Sequence, residues 1–245
     1  MGWEISHIAQ TESTNRWLKD RGGAARTVVW ADYQTAGRGC GTNSWESERG
    51  KNLTFSLMLH PEPLTASEQF RISMVVSLAI CEALDQLVGD ISIKWPNDIY
   101  WRNGKLCGIL IENTLKGVSI KDSIVGVGLN VNQERFVSDA PNPVSLWQIT
   151  GQPTDRGELL GDILRRIDML MPQAYDNGQQ PGAAEGLRRK YMSRLYRRRG
   201  FHPYVDARGA FMAQIADVGD DGLLTLVDDS ATPRHYAFKE VQFVI

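Results

Sequence analysis

The sequence predicts an α+β fold in which a mixed β-sheet covered by helices is followed by a small all-β unit. Three observations carry this expectation. Residues 106–113 and 123–132 are strand-length runs too apolar to face water on both sides. Residues 67–88 place Phe70, Ile72, Val75, Val76, Leu78, Ala79, Ala83, Leu84 and Leu87 at helical spacing, which predicts a long, largely buried helix. Around residues 197–201 the texture changes to short strands and turns.

Residues 3–9 alternate well enough for an edge strand. Thr11, Glu12, Ser13, Thr14 and Asn15 then offer hydroxyl and amide caps before a helical run at 16–21. Residues 27–33 form a β-branched and aromatic strand that feeds a glycine-rich loop, and residues 53–60 are the strand on its far side. Strands at 91–95, 106–113 and 123–132 follow the long helix. After Pro141 and Pro143 come a short helical piece and helices near 156–175 and 183–195. The last part reads as strands at 203–207, 211–218, 223–228 and 235–245 around a Gly219-Asp220-Asp221-Gly222 turn, the period of a small five-stranded barrel. The expected division is residues 1–198 and 199–245.

A chain of 245 residues with 42% apolar and 23% charged content can bury a full core. Its formal net charge of -2 provides no global field for nucleic acid or an anionic membrane, so binding of that kind would have to be local. The N-terminus has no secretory pattern and no apolar run reaches bilayer length. The three cysteines, Cys40, Cys81 and Cys107, lack paired metal spacing, which fits a reducing cytoplasm, and Cys81 and Cys107 read as small buried hydrophobes.

Chemistry concentrates in a few segments. Gln34 to Trp45 surrounds Arg38 with Gly37, Gly39 and Gly41, a loop whose backbone N–H groups can converge on a phosphate or carboxylate beside a permanent forked charge. Lys94-Trp95-Pro96-Asn97-Asp98 and Gly104-Lys105-Leu106-Cys107-Gly108-Ile109-Leu110-Ile111-Glu112 set lysines against apolar runs, where a buried ammonium needs an anionic partner. With Ser13-Thr14-Asn15 before them and Gly126-Val127-Gly128-Leu129-Asn130-Val131-Asn132 after, this ordered set resembles the biotin-protein ligase family from about residue 8 to the C-terminus.

The resemblance implies a biotin/lipoate ligase-type catalytic domain with an SH3-like C-terminal barrel. It also implies two steps, in which biotin carboxylate attacks the α-phosphate of ATP to give biotinyl-5′-AMP, and a carrier-protein lysine then takes the biotinyl group. Lys105 would sit between carboxylate and α-phosphate, Arg38 would hold phosphate oxygens, and Lys94 is either a third cation or a structural lysine. Biotin contacts are implied for Ser13, Thr14, Asn15, Gln34, Gly37, Arg38, Gly39, Lys105, Gly108 and Leu110, with helix capping as the plainer role of Ser13 and Thr14. ATP contacts are implied for Arg38, Cys40, Trp45, Asn97, Lys105, Asn130 and Asn132, with Trp45 covering the adenylate when the loop folds down. The glycines at 126 and 128 can equally serve close packing.

Mg²⁺ arrives with ATP, and no dedicated protein cage for it is visible in the sequence. Glu112 is either a metal contact or an ordinary strand carboxylate. Asp98 serves as base or anchor for the acceptor amine, or simply as part of a turn. The implied partner is the biotin carboxyl carrier domain of a biotin-dependent carboxylase, and family members often pair as homodimers through sheet edges. Only twelve residues precede Ser13, so no DNA-reading winged helix-turn-helix module is expected ahead of it.

Two departures stand out. Many members have basic residues where Cys40 and Asn43 stand, so this loop is expected to order less tightly over the adenylate or to rely on other contacts. The arginine run 188–199 reads first as a solvated helix face, then as a docking surface for an acidic carrier, and last as a nucleic-acid patch. The nearest rival function is a lipoate-protein ligase of the same fold, against which Arg38 in its glycine setting and Lys-Trp-Pro-Asn-Asp argue. A transcription-repressing binding module is disfavoured by the missing DNA reader, an inactive scaffold by the presence of Arg38 and Lys105, and a hydrolase by the distribution of His7, His60, His202 and His235.

Overall fold

The computed structural model describes residues 2–41, 43–138, 140–175 and 181–245; Thr42 of the glycine-rich loop lies outside them. Strands β1 (Glu4–Ile8), β2 (Thr27–Ala31), β3 (Leu53–Leu59), β4 (Ile91–Lys94), β5 (Asp98–Trp101), β6 (Gly104–Lys116) and β7 (Ser119–Leu129) form a seven-stranded sheet in the order β1-β2-β3-β7-β6-β5-β4. Only β1 and β2 pair in parallel, so the sheet is mixed, with β1 at one edge.

Side chains alternate across the sheet, and the two faces have different fates. Phe55, Leu57, Val125, Val127 and Leu129 belong to the main core with helix α2 (Phe70–Leu84). Helix α3 (Leu146–Thr150) adds Leu146 to that core, and helices α4 (Arg156–Leu170) and α5 (Ala183–Ser193) add Ile163, Leu164, Leu187 and Tyr191. Helix α2 is buried almost all round. Even its Arg71 is enclosed, paired with Glu68 and Asp220 and donating to the Ala174 carbonyl. On the other face, helix α1 (Thr14–Arg21) covers Val29, Met58 and Ile124 through Leu18 and Trp17. Beyond α1 that face carries the small residues Thr54, Ser56, Gly108, Gly126 and Gly128, whose missing bulk leaves room for a cavity.

The second sheet is antiparallel throughout, with strands β8 (His202–Asp206), β9 (Gly209–Val218), β10 (Leu224–Asp228), β11 (Pro233–Tyr236) and β12 (Val241–Phe243) in the order β11-β10-β9-β8-β12. Its 219–222 turn seats against the start of α2 and the segment that follows β4. The Phe70 N–H donates to the Asp220 carbonyl, and Trp95 Nε1 donates to the Gly222 carbonyl at 3.0 Å. Gly222 has φ +89 and lies against Phe70, where a Cβ would approach Cδ2 to 2.8 Å.

Three expectations are corrected. Asp98–Trp101 is a strand as well as the end of a turn, because it pairs with both β4 and β6. The single strand expected at 235–245 is two, separated by a turn in which the Glu240 N–H donates to the Ala237 carbonyl. The arginine run is largely a seam between α5, α2 and the second sheet. Arg188 pairs with Asp217 and donates to the Val218 carbonyl, Arg198 donates to Ile215, Arg197 to Val244, and Arg194 holds Asp85. Cys81 and Cys107 are buried, and burial pushes both thiols up from their ordinary pKa.

Candidate functional site

The open face of the large sheet is the floor of one cavity of about 1400 Å³. Its walls come from the start of α1, the glycine-rich loop, the 94–98 segment, residues 136, 138 and 140–143, and the turn and strand at 238–243. Arg38 and Lys105, from distant parts of the chain, line this same cavity. Its lining side chains include four cations, Arg38, Lys94, Lys105 and Lys239, against the carboxylates of Glu46 and Asp98. That local excess of positive charge occurs in a chain of net charge -2.

The glycine-rich loop folds back on itself. The Gly39 N–H donates to Asn43 at 2.7 Å and the Trp45 N–H to Gly37 at 3.0 Å. At Gly37 a Cβ would stand 2.7 Å from the Trp45 carbonyl, so this glycine serves the close return of the loop and is absent from the cavity lining. Trp45 then lies on the sheet. A side chain at Gly128 would collide with the indole, and one at Gly108 would reach 2.9 Å from its Cζ3. The Lys105 ammonium stands 5.8 Å from the Trp45 ring centroid, within cation–π range. Trp45 Nε1 is buried with no acceptor.

At the α1 end, Ser13 is the N-cap by backbone conformation, yet its hydroxyl makes no capping bond. Gln34 Oε1 accepts from both the N–H and the hydroxyl of Thr14, at 2.8 and 3.1 Å, so the amide N–H₂ is what Gln34 offers the cavity. Asn15 fills the space that Gly126 leaves, contacts Ser56 Oγ at 2.6 Å and donates to Glu112 Oε2 at 2.7 Å. The same Glu112 oxygen pairs with Arg38 at 3.0 Å. Glu112 itself is outside the cavity lining, while Leu110 is part of it.

Opposite, Asn97 Nδ2 donates to the Ile109 carbonyl at 2.7 Å and the Ile109 N–H returns a bond to Asn97, which fixes the start of β5 on β6. Asp98 is thereby held 2.7 Å from Lys105 Nζ, a pair that is 15% and 29% exposed. Lys94 has a different setting, with its ammonium between the rings of Tyr100 and Phe243 at 5.3 and 5.1 Å. Burial lowers its pKa from the ordinary value; Asp98 opposes the shift, while Lys105 and Arg197 reinforce it.

Asn130 is 2% exposed and spends its N–H₂ on the carbonyls of Val144 and Lys105, leaving Oδ1 without a donor inside the cavity wall. Asn132 does not line the cavity, because its amide exchanges two 2.9 Å bonds with the Thr154 backbone. Cys40 and Gly39 lie on the loop wall. Among the described residues no three His, Cys, Asp or Glu side chains converge as a metal cage.

Several lining residues had no sequence signal. Glu46 holds residues 137 and 138 through their N–H groups and accepts from Gln133; burial alone would raise its carboxyl pKa, and these hydrogen bonds outweigh it and lower the pKa. Phe238, Lys239 and Phe243 reach the cavity from the second sheet, which only tertiary structure reveals.

Residues 7–130 match the biotin/lipoate A/B protein ligase family. A bifunctional ligase/repressor BirA from Bacillus spizizenii is 34% identical over 240 residues, covering 94% of this chain and 70% of that protein. A biotin-[acetyl-CoA-carboxylase] ligase from Mycobacterium tuberculosis is 30% identical over 70% of this chain and 66% of its own length. The solved biotin protein ligase from Aquifex aeolicus, in complex with biotin and ATP, shares the fold with a TM-score of 0.81 at 24% identity, covering 98% of this chain and 99% of that one. On the sequence match and the shared architecture, the chain belongs to the biotin/lipoate A/B protein ligase family.

Proposed function

We propose that this protein activates biotin with ATP to form biotinyl-5′-AMP and transfers the biotinyl group to one lysine of a biotin carboxyl carrier domain. The observation that carries this reading is the convergence of Arg38 and Lys105 on one cavity whose floor is stripped of side chains. A carboxylate and a triphosphate repel as they approach, and preorganised cations offset that repulsion. The carboxylate oxygen attacks the α-phosphorus, the bond to pyrophosphate breaks, and Lys105 bridges the two anions while Arg38 holds phosphate oxygens.

Ser13 and the Gln34 N–H₂ form the polar end of the slot, suited to the ureido ring of biotin, with Leu110 beneath it and Gly108, which Trp45 covers, further along the floor. The orphan Oδ1 of Asn130 suits the exocyclic amine of adenine. Trp45, seated on Gly108 and Gly128, closes the site against water, which would hydrolyse the mixed anhydride. In the second step the acceptor amine attacks the acyl carbon and AMP leaves. A free lysine near pKa 10.4 costs about 4 to 5 kcal/mol to neutralise at pH 7, and Asp98 is the carboxylate that would receive or anchor that proton.

Mg²⁺ bound with the nucleotide would supply further charge to the phosphates; Glu112 lies outside the cavity lining with Oε2 taken by Arg38 and Asn15, so it would orient Arg38 rather than touch the ion. The same reading divides the chain into a catalytic unit, residues 1–198, and a C-terminal unit, residues 199–245. A second copy would add at β1, the free strand of the large sheet. No helix among the described residues is long and apolar enough to cross a membrane, and the proposed reaction is cytoplasmic.

A lipoate ligase is the alternative within the family. The dithiolane of lipoate offers no partner to Ser13 or Gln34, and unpaired polar groups at the end of a slot discriminate strongly. The test incubates purified protein with ATP, Mg²⁺, labelled biotin or lipoate, and a carrier domain. Biotin label should move to the carrier in an ATP-dependent way; transfer of lipoate but not biotin overturns the substrate assignment.

A further inference from the structure

The glycine-rich loop brings one arginine to the cavity, while Cys40 and Asn43 beside it are uncharged. A cation from elsewhere stands against it. Lys239 lies in the turn between β11 and β12, and a side chain added at Gly41 would collide with its ammonium and come within 3.4 Å of its Cε. Gly41 has φ +71, so both its backbone and its neighbour favour glycine.

We infer that Lys239 completes the cation set of the loop and binds the β- and γ-phosphates of ATP, the pyrophosphate that leaves in the first step. The inference rests on the ligase reading given above.

Charge pairing supports it. Arg38 is paired with Glu112 at 3.0 Å and Lys105 with Asp98 at 2.7 Å, so the two central cations are each partly offset. Among the described residues Lys239 has no carboxylate within ion-pair distance, and its ring contact is with its neighbour Phe238 at 5.7 Å. A triphosphate carries more negative charge than Arg38 can meet by itself, and an unpaired ammonium on the same cavity wall is the nearest complement.

Backbone conformation points the same way. Lys239 has φ +74, in the left-handed region where glycine or asparagine is the usual choice. The turn is closed by Glu240, whose N–H donates to the Ala237 carbonyl and whose Oε2 accepts from the Ala237 N–H at 2.7 Å. A glycine would make this turn with less strain, so what the lysine adds is its charged head over the loop.

The full-length protein is assayed without carrier, by pyrophosphate release, as Lys239→Met, Lys239→Gln and Lys239→Arg. Wild type is measured first, since failure to form biotinyl-AMP removes the ligase reading itself and this inference with it. With wild type active, the Met and Gln variants should raise the KM for ATP about tenfold and leave that for biotin within about twofold. Lys239→Arg should stay near wild type. Adding Cys40→Arg to Lys239→Met should recover ATP affinity, because a cation returns to the same space from the other side. An unchanged KM for ATP in the Met and Gln variants overturns the inference. So does a rise confined to the KM for the carrier domain, which would make Lys239 a contact for an acidic protein surface.

Discussion

Gly128→Ala tests the closure of the site with a single methyl group. Gly128 sits within β7, paired on one side with Thr54 of β3 and on the other with Gly108 of β6, so its backbone has no freedom to move aside. The added Cβ meets the Trp45 indole at Cε2 and Nε1 and approaches Cζ2 to 2.8 Å. The ring must leave its seat. A tryptophan buries 150–250 Å², and giving up on the order of 100 Å² costs about 2.5 kcal/mol at about 25 cal/mol per Å². Losing the contact with Lys105 adds about 0.5 kcal/mol, which together lower the closed population roughly a hundredfold. Ordering the loop offsets most of that gain in the wild type, so the thermal midpoint should fall by no more than about 4 °C. The assay is the rate at which preformed biotinyl-AMP escapes from the enzyme. Escape should accelerate by one to two orders of magnitude, Trp45→Ala should do the same, and the double variant should be no worse than Trp45→Ala. Escape at the wild-type rate from Gly128→Ala would show that the seat of Trp45 has no part in retaining the adenylate.

Asp98→Asn removes the partner of Lys105 and the proposed acceptor of the amine proton; single-turnover transfer to carrier should slow more than adenylate formation. If only adenylate formation slows, Asp98 acts solely by positioning Lys105. Lys94→Met should be more stable than wild type at pH 7, because burial holds the Lys94 pKa below its ordinary 10.5 and the unfolded chain binds more protons between the two values. Wild-type stability therefore rises with pH through that window, and the advantage of the variant should shrink towards pH 10.5 in urea titrations. A constant gap at pH 7 and pH 10 contradicts this. Arg188→Ala breaks a pair with side chains 32% and 39% exposed and should cost about 1 kcal/mol, or 2–4 °C in thermal midpoint, with the carrier KM unchanged. A raised carrier KM with unaltered stability would restore the docking role to this arginine.

Much of the sheet was legible because its strands are long or strongly apolar. Leu53–Leu59 and residues 123–127 of β7 are buried runs that no exposed element could tolerate, and β6 buries Leu106, Cys107 and Ile109. The four-residue β5 was not, since Asp98-Ile99-Tyr100-Trp101 follows Pro96-Asn97 and precedes Asn103-Gly104, and turn chemistry on both sides masks a strand defined only by its neighbours. The arginine run misled for a related reason. Composition shows that a helix carries cations but not that Asp217, Asp85 and the carbonyls of Ile215, Val218 and Val244 wait across a seam.

The cavity shows the same division within a single site. The loop glycines and the glycines of β6 and β7 signal close approach in the sequence, and the fold supplies the reason at each: Gly37 meets the returning loop, Gly126 meets Asn15, and Gly108 and Gly128 meet Trp45. Charge balance was only half readable. The uncharged Cys40 and Asn43 mark a deficit in the loop, and a deficit of positive charge in an anion site must be met from another segment or accepted as weaker binding. Lys239 lies almost two hundred positions away in a turn whose local sequence carries no motif, yet its ammonium stands over Gly41. A site assembled from two sheets can move a cation from one to the other and keep the field its anions require. The loop motif taken alone would then understate the positive charge available to the nucleotide.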